Sequence, residues 1–303
     1  MKPRILVLLA AYNGRDWIAE QVESILEQAG VEVQIAISVD ASTDGTEALV
    51  SEWAQRDSRI VCLPHGRRFG GAAANFFRLL VDTPLSGHDY VAFADQDDVW
   101  LPNKLLRACE VLSTGHYSAY SSDVLAFWPD GREQAIRKSQ PQVAYDYLFE
   151  AAGPGCTYVF VSGLAGQIKQ NIEQLQSRMA HVSLHDWFCY AYARAHGYNW
   201  FIDNQLHMRY RQHANNQVGV NTGIAAFSKR LRQVFDGWWL SQARLIAELV
   251  GKKDDPFVRA WYPCTRLSLT RLAANCGQCR RRARDKLVFA ALCIGLAVKG
   301  IHE

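Results

Sequence analysis

No apolar run in the 303 residues approaches the roughly 20 needed to span a bilayer. Ile5 to Ala11 meets polar Asn13 too soon to read as a signal peptide, and Leu287 to Val298 is only 12 residues long. There is no GxGxxG behind the first predicted strand and no GxxxxGK[ST] anywhere, which argues against dinucleotide and P-loop binding. Low-complexity tracts and internal repeats are missing, as is any nucleic-acid recognition motif. Cysteine is sparse: eight, scattered from Cys62 to Cys293, make no disulfide scaffold in a chain this long and suit a reducing compartment. Cys276 and Cys279 form a lone CxxC without the second ligand pair that zinc needs, so they read as free thiols.

What remains is ordinary globular composition, 49% hydrophobic and 21% charged, with an uneven distribution of charge. Residues 225–303 hold 15 Lys and Arg against 6 Asp and Glu, whereas residues 1–224 hold 18 against 24. The chain has an acidic body and a basic tail.

The body reads as alternating strands and helices. Ile5 to Ala10 is an apolar strand, Tyr12 to Gly14 a turn, and Asp16 a cap for a helix with Ile18, Val22, Ile25 and Leu26 on one face. Val33, Ile35, Ile37 and Val39 alternate as a second strand, so the opening is a β-α-β unit with a parallel sheet. Asp40 to Thr46 follow at the carboxyl end of that strand, where α/β folds open their ligand crevice. Asp40 there either binds a base or ribose or belongs to a turn; Asp44 and Gly45 read as turn and cap. A third strand, Ile60 to Leu63, leads into Arg67, Arg68 and glycines ahead of a helix, an arrangement suited to a diphosphate. The fourth strand, Tyr90 to Ala94, runs straight into Asp95, Asp97 and Asp98. Three carboxylates so close repel unless they are solvated or surround a cation, and Mg2+ or Mn2+ suits their oxygens.

Further motifs lie downstream. Asp123 sits among strand-like stretches, and Gly153 to Ile168 combine a glycine loop, a β-prone run and a helix start. His185, Asp186 and Trp187 precede a helix, with Asp186 either an N-cap or a functional acid and Trp187 either a sugar platform or core. Leu206 to Tyr210 is a strand leading to His213, either structural or a metal ligand, with Arg209 and Arg211 able to meet phosphate.

LLAAYNG, VDASTDGT and FADQDDVWLPNKL, in that order, resemble the family 2 glycosyltransferases, nucleotide-sugar-dependent inverting enzymes of the GT-A fold. DQDDVW together with HDWF and YRQHANN is similar to bacterial rhamnosyltransferase-like members that build surface polysaccharides such as O-antigen. The likeness covers roughly Ile5 to Asn216. It implies an α/β fold: a GT-A-type Rossmann-like mixed sheet flanked by helices, with a C-terminal helical appendage. The catalytic domain would be 1–223, its nucleotide-sugar half about 1–112 and its acceptor half about 113–223, followed by a basic helical region 224–303. Ala11, Tyr12, Asn13, Asp40, Arg68, Asn75, Asp95 and Gln96 would line the donor site. Asp95, Asp97 and His213 would hold Mn2+ or Mg2+, and Asp186 would be the general base. The implied partners are a dTDP- or UDP-linked sugar donor and a saccharide or lipid-linked saccharide acceptor, in the cytoplasm or at the inner face of the cell membrane. One departure stands out, since many relatives carry two acids at the end of the second strand and Val39 fills the first place here.

Two rival functions stay in view. Asp95 to Val99 also fits the DxDx[TV] phrase of haloacid-dehalogenase-type phosphatases, in which Asp95 would be the nucleophile, although that strand normally comes first. A catalytically silent sugar-binding module of the same fold would keep Asp95 and Asp97 but lose the base. Neither a spanning segment nor the QxxRW phrase of processive relatives occurs, so polymerisation is not expected. The basic tail, with Arg280, Arg281, Arg282, Arg284 and Lys286 beside the short apolar run, is expected either to attach to an anionic membrane surface or to pack on the catalytic domain or a second subunit.

Overall fold

The computed structural model describes residues 1–213 and 236–300. The expected domain cut at 223/224 and the start of the basic region therefore lie outside the described residues. Within them the chain forms two compact units: one of residues 1–139, 152–189 and 198–213, the other of residues 140–151, 190–197 and 236–300.

The first unit is built on a nine-stranded mixed sheet ordered β3-β2-β1-β4-β8-β6-β9-β5, with β7 on β6. β1 (Arg4–Ala11), β2 (Glu32–Val39), β3 (Ile60–Cys62) and β4 (Tyr90–Asp95) are parallel, joined by α1 (Ile18–Leu26), α2 (Thr46–Arg56) and α3 (Ala72–Asp82). Helical crossovers cover both faces of such strands, which explains why Ile5 to Ala11 is one continuous buried run. The alternation in β2 promises one wet face, yet Ala36 and Ser38 are buried along with Ile35 and Ile37. Phe76, Phe77, Leu79 and Leu80 of α3 and Ile18, Val22 and Ile25 of α1 are buried. Asp16 does not cap α1; Trp17 holds the N-cap position without a side-chain bond.

β5 (Val99–Trp100) and α4 (Lys104–Leu112) follow the acids. β6 (Ala119–Phe127), β7 (Glu133–Ile136), β8 (Val159–Val161), α5 (Ser162–Gln174), α6 (Gln176–Met179), α7 (His185–Ala195) and β9 (Trp200–Arg211) complete the order through residue 213. β8 is antiparallel to β4 and β6, and β9 runs parallel to β6 with a register shift at Asp123. Two connections then position the site. Strand order reverses between β1 and β4, so Asp95 stands at the switch point where α/β sheets bind ligands. β5 pairs with β9, Val99 opposite Arg209, which carries Arg211 to His213 up to the acids.

The second unit gathers α8 (Trp238–Leu249), α9 (Pro256–Trp261), α10 (Arg266–Ala274), α11 (Cys276–Cys279) and α12 (Ala283–Lys299) around residues 140–151. Phe149 meets the rings of Trp239, Trp261 and Phe289 at centroid distances of 5.8, 5.2 and 5.1 Å. Beside that apolar centre lies a buried ionic one. Asp146, with no exposed surface, accepts from Tyr190 Oη at 2.8 Å, Arg194 at 3.0 Å and Arg281 at 3.0 Å. Arg281 also donates to Ala151 O and its backbone N–H to Glu150, while Arg280 donates to Phe149 O. Two of the tail cations expected at a membrane are thus internal ties of this unit.

Candidate active site

The carboxyl ends of β1, β2 and β4 lie side by side, Ala10 opposite Asp95 and Ala11 opposite Val39. Their loops are joined to one another. Gln96 clasps the backbone of Tyr12, accepting from its N–H at 2.7 Å and donating to its carbonyl at 2.8 Å. A Cβ at Gly14 would fall 2.0 Å from Gln96 Oε1, so any larger residue there would push the Gln96 amide away from Tyr12. Asn13 N–H donates to Ser42 Oγ, Gly14 N–H to Thr46 Oγ1, and Thr43 N–H to Asn13 Oδ1. The YNG and DASTDGT loops form one hydrogen-bonded floor. Asp40 continues it: Ala11 O accepts from its N–H at 2.8 Å, and its carboxylate accepts from Ala41, Phe69 and Gly70 N–H. Both oxygens of Asp40 thus hold the Arg67–Gly70 loop in place, while the Arg68 side chain on that loop is exposed. Asn75 is 2% exposed and spends its amide on Ser38 and Ala11, tying α3 to the ends of β2 and β1.

The acids occupy the next position along. Asp97 Oδ2 and His213 Nε2 are 2.7 Å apart, and the His213 ring stacks on Trp17 at 4.2 Å. Asp98 is fully buried, and its Oδ1 accepts from Arg211 N–H at 3.1 Å. Ligand atoms of Asp95, Asp98 and Cys156 all lie within 4.8 Å of one another. Burial first, then the charges of Asp97 and Asp186, push the Asp95 carboxyl up to about 7. Asp98 is driven well above the carboxylate range, by burial and then by Asp97 and Asp95. These are acids held in low dielectric against one another, an arrangement that a cation relieves.

Asp186 belongs to the same group, since its charge is felt at Asp95. It does not take the N-cap position, because α7 starts one residue earlier at His185. It lies in the first turn, half-buried, with Oδ1 accepting from Trp187 N–H at 2.7 Å. Burial raises its pKa to about 6, opposed by that hydrogen bond and by Lys138. Trp187 is 4% exposed and belongs to the core. His185 stacks on Phe76 at 3.9 Å, and burial depresses its pKa to about 3, which keeps it neutral. A Cβ at Gly155 would meet His185 Nε2 at 2.6 Å and Asp186 Cβ at 3.1 Å, so the GPG loop lies directly against the start of α7.

Asp95, Gln96, Asp97, Asp186 and His213, predicted from separate stretches, therefore converge, and Ala11, Tyr12, Asn13 and Asp40 border them as the floor. Cys156, Lys104 and Trp17 are neighbours that sequence reasoning missed. A single cysteine behind GPG and a lysine in an ordinary helix carry no local signal; only the pairing of β8 with β4 and the burial of α4 bring them in.

The family model for glycosyl transferase family 2 matches residues 6–157. The dTDP-rhamnosyl transferase RfbG of Shigella flexneri is 40% identical over 287 residues, covering 94% of this chain and 99% of that protein. A UDP-Glc:alpha-D-GlcNAc-diphosphoundecaprenol beta-1,3-glucosyltransferase, WfaP of Escherichia coli, is 28% identical over 52% of this chain and 60% of its own length. Among solved structures, S. aureus TarS 1-349 in complex with UDP-GlcNAc aligns with a TM-score of 0.56 at 14% identity, over 99% of this chain and 88% of that one. The mannosyltransferase PcManGT of Pyrobaculum calidifontis, in complex with GDP-Man and Mn2+, aligns at 0.55 and 19% identity, over 100% and 77%. At such identities the likeness is one of fold, and the fold is GT-A. The phosphatase reading of DxDx[TV] is overturned by these matches. Together with the site's place at the sheet's switch point, they show that the chain belongs to glycosyl transferase family 2 and is a glycosyltransferase resembling rhamnosyltransferases.

Proposed function

We propose that this chain is a metal-dependent inverting transferase that moves rhamnose from a dTDP-linked donor to a saccharide or lipid-linked saccharide acceptor in surface-polysaccharide synthesis. The observation carrying the reaction type is the shared site of Asp186 with Asp95 and Asp97, a half-buried carboxyl raised to about 6 beside two further carboxyls. The donor identity is supported by the near full-length similarity to a dTDP-rhamnosyl transferase.

The zipped loops around Tyr12, Asn13 and Asp40 bind the nucleotide, and Arg68 and Arg211 offer cations to its diphosphate. Asp95, Asp97 and His213 supply two carboxylates and an imidazole, a donor set that fits Mn2+ or Mg2+ and favours Mn2+ through its nitrogen. When bound, such an ion supplies positive charge for the leaving diphosphate. Asp186, ionised, accepts the proton of the acceptor hydroxyl as that oxygen bonds to the anomeric carbon. The bond from that carbon to the diphosphate oxygen breaks on the opposite face, and its electron pair leaves with the diphosphate. Configuration inverts in the single displacement.

A panel of dTDP-, UDP- and GDP-linked sugars, each titrated with Mg2+ and with Mn2+ and assayed for hydrolysis, tests the proposal. The expected result is tightest binding and fastest hydrolysis for dTDP-rhamnose, both lost on chelation. Preference for another donor, or binding indifferent to metal, would overturn the corresponding half.

A further inference from the structure

α12 is apolar on two opposite sides. Phe289, Cys293, Leu296 and Ala297 form its buried side within the second unit. Leu287, Ala291, Ile294 and Val298, at the i, i+4, i+7 and i+11 positions of a single stripe, face outward. Leu287 is 73% exposed, Ile294 50% and Val298 75%, and Leu267 of α10 adds a further 61%. A helix apolar all round is ordinarily buried all round; this one is not.

Its surroundings are basic. Arg266, Arg271, Arg282, Arg284 and Lys299 are exposed on the same two helices and their leading turn. The only acid between residues 256 and 300 is Asp285, half-buried between Arg280 at 3.9 Å and Arg284 at 3.6 Å. Charge decides what fits. A second copy laid antiparallel on the stripe brings Arg284 toward Lys299, and a parallel copy sets Arg284 on Arg284, so like charges repel in both. Among the described residues no helix is long and apolar enough to cross a membrane, which leaves a helix lying on a surface.

We propose that the Leu287–Val298 face of α12, with Leu267, docks on a bilayer surface rich in anionic lipid, the helix axis parallel to the plane. The stripe enters the headgroup boundary while Arg282, Arg284 and Arg266 meet lipid phosphates. Arg280 and Arg281 take no part, being committed inside the unit. The proposal is independent of which sugar and acceptor the enzyme uses.

Full-length protein is sedimented with vesicles of phosphatidylcholine alone or with phosphatidylglycerol, over a range of NaCl. Binding is expected only with phosphatidylglycerol and should weaken as salt screens the exposed charges. Arg282→Gln with Arg284→Gln should cut the partition coefficient roughly thirtyfold at low salt. The combined Leu287→Gln, Ile294→Gln and Val298→Gln variant should abolish binding while keeping the parent's melting temperature and its turnover of a water-soluble acceptor. Equal binding to both vesicle types, or unchanged binding by the glutamine variant, overturns the proposal. So does a concentration-dependent dimer of the parent that the glutamine variant loses in sedimentation velocity, because the stripe would then be a self-contact.

Discussion

Asp186 lies one residue inside α7 rather than at its cap, so replacing it separates chemistry from helix stability. Asp186→Asn and Asp186→Ser are both expected to lower kcat by roughly a hundredfold or more with donor affinity nearly intact, because the base acts only on the acceptor hydroxyl. Serine, which would restore a lost cap, gives no rescue on this account. Single-turnover transfer together with calorimetric donor titration measures both quantities, and near-parental turnover by the serine variant would remove Asp186 from the reaction. The pH profile carries the same information. Burial lifts this carboxyl to about 6, and only the ionised form accepts a proton, so the parent's kcat should fall as pH drops through about 6 and level off above.

Two ionisable groups lie deeper, Asp98 in the loop after β4 and Lys104 at the start of α4. Asp98 Oδ2 and Lys104 Nζ are both fully buried with no hydrogen-bond partner among the described residues, and Lys104 lies 3.5 Å over the Trp100 ring. Burial brings Lys104 down to about 7, opposed by the charges of Cys156 and Asp98. Removing one member of a buried pair strands the other, at a cost of about 3–5 kcal/mol, whereas removing both is far milder. Asp98→Asn and Lys104→Met should therefore each destabilise strongly in urea unfolding, and the double variant by much less than the sum; additivity would show that the two are independent. None of this is visible in DQDDVWLPNKL, where Asp98 reads like its neighbours and Lys104 like a solvated helix residue. The strands and helices were legible because apolar runs punctuated by Asn, Asp and Gly determine them locally, and Asp95, Asp97 and Asp186 stood out as candidates because they lie at element ends. Three things were hidden. The engagement of Asp40 with Phe69 and Gly70, of Asn75 with β1 and β2, and of His213 with Trp17 each joins stretches far apart in the chain, and local pattern holds no information about such pairs.

Across the whole molecule the tail's charge divides into two roles that composition merges. Arg281 is a structural cation, and Arg281→Met should destabilise by about 1.5–3 kcal/mol, because Asp146 keeps Arg194 and Tyr190 but loses its third charge-assisted hydrogen bond, seen as a lowered melting temperature. Arg282→Gln, one residue on and exposed, should stay within about 0.5 kcal/mol of the parent. Equal effects would mean that Asp146 does not depend on its partner. The tie from Asp146 to Arg281 also bears on how the protein is made. It closes across 135 residues, so at about 5–20 residues per second a ribosome leaves Asp146 without Arg281 for roughly 7 to 27 s. By then β1 to β4 have long emerged, and the floor at the ends of β1, β2 and β4 has all its strands while the second unit still awaits its last helix. A message cut short before codon 281 would retain every residue of the family match and yield a chain whose buried Asp146 has Arg194 but not Arg281 and whose second unit lacks its last helix, a substrate for proteolysis rather than a shorter enzyme.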